Sequence, residues 1–391
     1  MQYRINPKNG DRISALGFGC MRFPKDDALT ADLVRRAIEG GVNYVDTAYI
    51  YPHNEERLGA ILAGTGLRDR VHIATKIPPY LVRRAGDFDR LFATQLQRLQ
   101  TDYIDYQLIH MLTTPESWQR MLDRGVADWV AAKKASGEIR NFGFSFHGGG
   151  ENFLHILEAF DWDFAMVQIN YLDECDQAGV VGLERAAALG IPVIVMEPLR
   201  GGRLAAGLSP AATKHWQEAR DDDGRAHSPA AWALRWVWNR PEVLTVLSGM
   251  NAADQLDENL RLADQFGAAD AADTLSADEL ALYARAREAL QGDDAIECTN
   301  CGYCQPCPRG VNIPLCFSLY NGRALTASSS KMQYMLRTYG ANAGRCNACG
   351  RCEPKCPQGL AIRTGLRRVR GAFEGPLYRP ANWVAHKVLH T

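Results

Sequence analysis

Long apolar runs are missing from this sequence. No stretch approaches the roughly 20 apolar residues that a membrane helix needs, so no spanning segment is expected. The opening MQYRINPKNG has no apolar core, which argues against a secretion signal and for a cytoplasmic chain. Net charge is missing too: 44 Lys and Arg against 45 Asp and Glu leave −1, so neither nucleic acid nor a membrane is indicated as a partner. There is no G-x-G-x-x-G fingerprint, which sets aside a Rossmann-type site, and no low-complexity tract. Cysteine is not scarce, but eight of the 11 crowd into two short segments near the C-terminus. Without an export signal, such crowding reads as metal binding rather than disulfides. What remains is an ordinary globular composition, long enough for one large domain and a smaller one.

The stretch around which the chain is organised is Tyr44 to Glu56, YVDTAYIYPHNEE. A short β-type run ends in an acid, Asp46. A tyrosine, Tyr51, follows on the loop, and Glu55 and Glu56 suit the first turn of a helix. This layout recurs. Strand-like runs fall at Ala15–Gly19, Tyr44–Thr47, Val71–Lys76, Tyr103–His110, Asn141–Phe146, Phe164–Tyr171, Pro192–Glu197 and Val243–Gly249. They are continuous apolar runs, as parallel strands buried on both faces require. Helical patterns separate them, among them Ala31–Gly40, Asp87–Leu99, Trp118–Ser136, Gln177–Leu189 and Pro229–Asn239, with Gly40, Gly41 and Gly190 at C-cap positions. Met1 to Ser14 reads as a hairpin closing the bottom.

Eight such units over roughly 250 residues predict an α/β (β/α)8 barrel followed by a second domain. The expected divisions are a barrel over 1–265, a helical linker over 266–294, a cysteine domain over 295–370 and a tail over 371–391. The linker includes Gly292–Asp294. The tail carries Phe373, Leu377, Tyr378 and Trp383 and is expected to dock on the protein or a partner. Residues 199–228, with Arg200, Arg203, Gly201, Gly202 and Gly207, read as a long loop.

In these barrels the chemistry sits at the C-terminal ends of the strands. Those ends read Asp46, Lys76, His110, Ser145, Gln168 with Asn170, Glu197 and Ser248. Polar ends on seven of eight apolar strands are hard to explain by packing. Asp46, Tyr51, Lys76 and His110 suit protonation of a carbonyl oxygen while hydride reaches its carbon. The ammonium lowers the phenol pKa, the acid holds the ammonium, and the histidine orients the oxygen.

With LGFGCMR (16–22), DTAYIYPHNEERLG (46–59), ATK (74–76), IDYQLIH (104–110), GFSFH (143–147), VQINY (167–171), MEPLRGG (196–202) and LSGMN (247–251), the chain resembles the aldo/keto reductase family. The resemblance implies Tyr51 as general acid, with Lys76, Asp46 and His110 in the roles above. Tyr49 is the competing phenol, and the family's Asp-to-Tyr spacing favours Tyr51. It also implies a bound NADP or NAD. Ser145, Gln168 and Asn170 would hold the carboxamide, and Leu199, Arg200 and Gly201 would cover the pyrophosphate. Ser248, Gly249 and Met250, with Gln255 and Asn259 on the helix from Ala252, would receive the adenosine end. Met196 stands where many relatives stack a tyrosine, and Gln255 where many carry an arginine, which leaves NADP against NAD open. His147 is either a second catalytic histidine or a loop residue. Trp118, Tyr80 and Phe146 are either pocket walls or core.

The cysteine runs are CTNCGYCQPCP (Cys298, Cys301, Cys304, Cys307) and CNACGRCEPKCP (Cys346, Cys349, Cys352, Cys356). The second matches the bacterial ferredoxin run C-x2-C-x2-C-x3-C-P, whose fourth cysteine ligates the other cluster. Two [4Fe–4S] clusters are therefore expected, one on Cys298, Cys301, Cys304 and Cys356, the other on Cys346, Cys349, Cys352 and Cys307. A zinc site would show two separated C-x2-C pairs instead. The insert Pro314–Tyr339 points to a helical ferredoxin-like domain. Cys20, Cys175 and Cys316 read as small apolar residues. Barrel and cysteine runs in this order resemble a subfamily of aldo/keto reductases with a C-terminal ferredoxin-like domain. The implied function is NAD(P)-dependent reduction of a small-molecule carbonyl. The alternative is an electron-transfer module serving a redox partner protein. A hydride carries two electrons and a cluster one, and no flavin signature bridges them.

Overall fold

The computed structural model describes residues 1–206, 208–268, 274–290, 294–298, 302–324, 327–376, 378 and 380–383. Cys301, Gly207, Gly292, Asp293 and Leu377, all named above, lie outside the described residues. The chain divides into two compact units, 1–207 with 219–280, and 208–218 with 281–391.

The first unit opens with an antiparallel hairpin, β1 (Tyr3–Ile5) and β2 (Arg12–Ser14). The repeat then runs β3 (Leu16–Gly19), α1 (Asp27–Glu39), β4 (Tyr44–Asp46), α2 (Asn54–Thr65), β5 (His72–Ile77), α3 (Gly86–Leu99) and β6 (Ile104–Leu112). It continues α4 (Pro115–Asp123), α5 (Val126–Ala135), β7 (Ile139–Phe146), α6 (Gly150–Glu158), β8 (Phe164–Gln168), α7 (Gly179–Ala188) and β9 (Val193–Met196). A helix α8 (Pro210–Glu218), grouped with the second unit, precedes α9 (Pro229–Trp238), β10 (Val243–Ser248) and α10 (Ala253–Phe266). Strands β3 to β10 close into a parallel barrel in sequence order, β10 pairing back onto β3. All eight predicted strands are present.

Tyr44, Tyr106, Phe164, Met166, Ile194 and Leu247 fill the barrel and Ile13 of the hairpin packs with them, so the interior is a core and not a channel. The hairpin is tied on by polar contacts. The Tyr106 hydroxyl donates to Asp11 at 2.8 Å and accepts from Asn6 at 3.1 Å. Gly59 lets α2 press on α3, since a Cβ there would lie 2.3 Å from the Arg98 carbonyl oxygen.

Three expectations change. The helix predicted over Trp118–Ser136 is two, α4 and α5, because Gly125 takes a left-handed φ of 84° between them. The predicted loop 199–228 contains α8, whose Trp216 packs edge-on against Tyr283 at 5.7 Å. The insert over Pro314–Tyr339 is also two helices, α12 (Ile313–Asn321) and α13 (Ala327–Arg337), after α11 (Ala277–Leu290).

In the second unit α14 (Ile362–Phe373) buries Ile362, Leu366, Val369 and Phe373 on one stripe, which is the spacing of a packed helical face. They meet Val311, Ile313, Phe317 and Tyr334 in a small core. Of the described part of the tail, Phe373 and Tyr378 pack into this core, while Trp383 is exposed. Phe373 stacks on Tyr334 at 4.6 Å, and Asn382 donates to the Tyr378 hydroxyl at 2.9 Å. Among the described residues no helix is long and apolar enough to cross a membrane.

Candidate active site

Asp46 ends β4 and Lys76 stands one residue from the end of β5. In-register pairing of the two strands, Asp46 opposite Ala74, brings their side chains together at the barrel mouth. The Lys76 ammonium donates to Asp46 Oδ1 at 2.5 Å and to the Thr47 carbonyl at 2.7 Å, and both side chains are buried. Burial opposes the Lys76 charge, but Asp46 and then Tyr51 hold its proton on, and its pKa is raised.

Tyr51 lies on the loop between β4 and α2. Its ring centroid is 5.3 Å from the Lys76 nitrogen and 6.1 Å from the His110 ring, edge-on. Tyr49 points elsewhere, under the guanidinium of Arg98 at 4.5 Å. The sequence-based expectation for the phenol needs correcting in sign. Lys76 does lower the Tyr51 pKa, but burial raises it by more, and the net shift is upward. His110 is held well below its usual pKa by burial, then by Lys76 and His147, so it is a neutral imidazole. Its Nδ1 is buried with no hydrogen-bond partner among the described residues. The β6–β7 ladder is interrupted between Ile109 and Leu112, with Met111 at φ 53°. That irregularity sends the Met111 amide to the Ser145 hydroxyl at 2.8 Å, fixing Ser145 beside the site.

Behind these residues lies a polar layer that single positions in the sequence did not reveal. Glu55 is fully buried and accepts from Thr75 at 2.6 Å, Gln95 at 3.1 Å and Arg98 at 3.0 Å. Thr75 sits next to Lys76, and Gln95 also donates to the Lys76 carbonyl at 3.2 Å. Only the helical phase of Glu55, facing inward from α2, could have flagged it. Cys20, buried, adjoins Asp46 and Lys76, and burial followed by Asp46 raises its thiol pKa.

The remaining predicted positions line the other side of the mouth. Gln168 Nε2 approaches Asp173 Oδ2 at 3.4 Å. Asn170 spends its amide on a turn, donating to Asp173 at 2.8 Å and accepting from the Leu172 and Asp173 amides. Leu199, Arg200 and Gly201 form a tight turn with left-handed φ values of 49° and 69° at Arg200 and Gly201. The left-handed backbone favours glycine at 201, and the Arg22 guanidinium closes over it, 2.7 Å from where a Cβ would lie. Arg22 also faces Glu197 at 4.0 Å and packs against Gly249, a cation that the motif LGFGCMR carried without an assigned role. Arg200 reaches Asp173 at 3.4 Å, and its Nη1 is buried without a hydrogen-bond partner among the described residues. Asn259 donates to the Ser248 hydroxyl at 3.0 Å, and Gln255 accepts the Asn251 amide at 3.1 Å. Met250 is buried, and Ala252, the residue before α10, offers no side-chain cap, leaving the first amides of the helix open to an acceptor. An orphaned guanidinium nitrogen, a glycine turn and an uncapped helix start are the donor set that a dinucleotide's phosphates want, so the residues fit that group. Met196 is half-buried at the end of β9. Trp118 and Phe146 are core, against Trp162 and Phe153, while Tyr80 is partly exposed on the turn after β5.

Residues 15–274 match the family model described as the aldo/keto reductase family. The chain belongs to that family. Residues 297–361 match a 4Fe-4S dicluster domain, so this aldo/keto reductase carries an iron–sulfur domain as predicted. The chain is 28% identical over 281 residues to a 6-dehydroglucose reductase of Novosphingobium aromaticivorans, covering 64% of this chain and 86% of that one. An aldo-keto reductase from Bacillus halodurans aligns with a TM-score of 0.60 at 24% identity, covering 73% of this chain and 96% of its own. One from Klebsiella pneumoniae in complex with NADPH aligns with a TM-score of 0.57 at 23% identity, covering 73% and 95%. These structural likenesses establish the barrel fold.

In the dicluster unit described cysteines of both runs come near one another. One cavity is lined by Cys298 and Cys304 from the first run together with Cys356 from the second, among Ile313, Phe317 and Ile362. Cys352 in turn neighbours Cys346 and Cys307. None of these thiols is in a disulfide. Among the described residues no group of three or more His, Cys, Asp or Glu side chains is arranged to hold a single metal ion. Of the cysteines outside the runs, Cys20 and Cys316 are buried. Cys175 is exposed on the segment between β8 and α7 and is not the packed residue expected.

Proposed function

We propose that this protein reduces an aldehyde or ketone with NADPH or NADH, reversibly, at the barrel mouth. The carrying observation is the buried Asp46–Lys76 pair at 2.5 Å with Tyr51 and His110 beside it. A nicotinamide dinucleotide, when bound, supplies the hydride. Tyr51 donates its proton to the carbonyl oxygen, completing an alcohol. Lys76 tempers the phenolate left behind, and Asp46 keeps that ammonium charged and in place. His110, being neutral, offers the carbonyl oxygen a hydrogen bond and does not compete as the acid. Ser145 and Gln168 orient the carboxamide, and Arg200, Gly201 and the start of α10 bind the phosphates. Similarity to a 6-dehydroglucose reductase makes sugar-type carbonyls the first compounds to test. The test is anaerobic turnover of aldehydes, ketones and oxidised sugars with both nicotinamides. Native protein is expected to consume reduced dinucleotide with at least one class, and Lys76→Met to lose that turnover while still binding the dinucleotide. A Lys76→Met protein as fast as native would overturn the assignment.

The cysteines of the second unit would hold two clusters, which supply one-electron chemistry when bound. This supports a second reading, in which electrons pass between the nicotinamide nucleotide and a protein partner.

A further inference from the structure

The near-zero net charge of the chain hides a division. Residues 295–370 hold eleven Lys and Arg against two acids, Glu297 and Glu353, whereas the residues before them hold 31 basic against 42 acidic. The excess is concentrated around the second cysteine run. Arg345 directly precedes Cys346, Arg351 lies between Cys349 and Cys352, Lys355 precedes Cys356, and Arg309 follows Cys307 by two. All four side chains are exposed, and none has a carboxylate partner among the described residues. They share one surface. Arg345 donates to the Arg309 carbonyl at 3.0 Å, joining the two runs, and Arg363 of α14 lies over Gly350 while pairing with Glu353 at 2.8 Å. Arg367 and Arg370 extend this stripe along the exposed face of α14. The first run contains no charged residue between Cys298 and Cys307. Like charges so close together repel and cost stability, so a surface that gathers them around one metal site is suited to a partner of opposite sign.

We propose that the basic surface around Cys346, Cys349 and Cys352 docks an acidic protein electron carrier and makes the second cluster site the port for that carrier. This rests on the reading that the clusters carry electrons. Its failure would leave carbonyl reduction at the barrel untouched.

The test uses cluster-loaded full-length protein under anaerobic conditions, with a fluorescently labelled acidic plant-type ferredoxin as probe and basic cytochrome c as control. Saturable binding of ferredoxin but not of cytochrome c is expected. The affinity should fall at least about tenfold as salt rises from about 20 to about 200 mM, as screening of surface charge demands. Arg351→Glu with Lys355→Glu should weaken binding at least about tenfold with turnover of the native carbonyl substrate unchanged. If that variant fails to load iron, Arg367→Glu with Arg370→Glu, on a helix apart from the cysteines, carries the same test. Equal binding by native and charge-reversed proteins would overturn the proposal. So would salt-sensitive self-association through the acidic barrel, or binding to anionic vesicles, in place of ferredoxin.

Discussion

The barrel and the dicluster unit position their reactive groups by different means. The barrel buries Asp46 and Lys76 at the mouth of a closed sheet with no free edge, and Glu55 of α2 among hydrogen bonds from β5 and α3. The dicluster unit has a much smaller apolar core, and its thiols stand on turns and single-turn helices such as Glu353–Lys355. The barrel's geometry therefore comes from packing, whereas the cysteine loops depend on what the thiols bind. Each half is therefore vulnerable in a different place.

Removing iron gives the largest effect. Chelation, or Cys352→Ser, should make residues 295–370 at least about tenfold more susceptible to limited proteolysis and abolish absorbance near about 400 nm. The barrel's melting transition should stay where it was. A dicluster unit that resists proteolysis without iron would mean its core suffices.

Next comes the tetrad. Asp46→Asn leaves the Lys76 ammonium without its counter-charge and should slow carbonyl reduction by about 10²-fold or more, with dinucleotide affinity changed little. The pH profile follows from the directions given above. The folded Tyr51 pKa is raised above the usual phenol value of about 10, because burial outweighs Lys76. The proton needed for reduction is thus present through neutral pH, and the rate falls only as pH rises through that raised value. Lys76→Met removes the lowering contribution and should move this fall to still higher pH, measured on the variant's residual rate. A fall near neutral pH that Lys76→Met leaves in place would assign the titration to another group.

The smaller effect is on stability. Glu55→Ala strips the acceptor from Thr75, Gln95 and Arg98 and should cost about 3 kcal/mol by denaturant unfolding of the barrel transition. The iron content of the dicluster unit should not change.

The two halves also differ in how much the sequence disclosed. Parallel strands with both faces buried must be apolar, so the barrel was readable from its runs, and polar residues at their ends marked Asp46, Lys76 and His110. The cysteine spacing was legible because cluster ligation demands fixed intervals. Burial was not legible. The sequence places a cation beside Tyr51 but gives no measure of how dry the phenol is, and dryness reverses the expected shift. Asn170 and Asp173 illustrate the same limit, since their mutual hydrogen bond depends on a turn whose shape no local pattern specifies. A summed charge is blind to position, which is why −1 concealed the basic surface around Cys346.

The most direct test compares two phenols two residues apart. Tyr51→Phe and Tyr49→Phe are prepared side by side, and dinucleotide affinity and carbonyl reduction are measured on each. Tyr51→Phe should bind the dinucleotide as native protein does and lose about 10²- to 10⁴-fold in reduction, while Tyr49→Phe stays within a few-fold of native. Full activity in Tyr51→Phe, with the loss falling on Tyr49→Phe instead, would contradict the account.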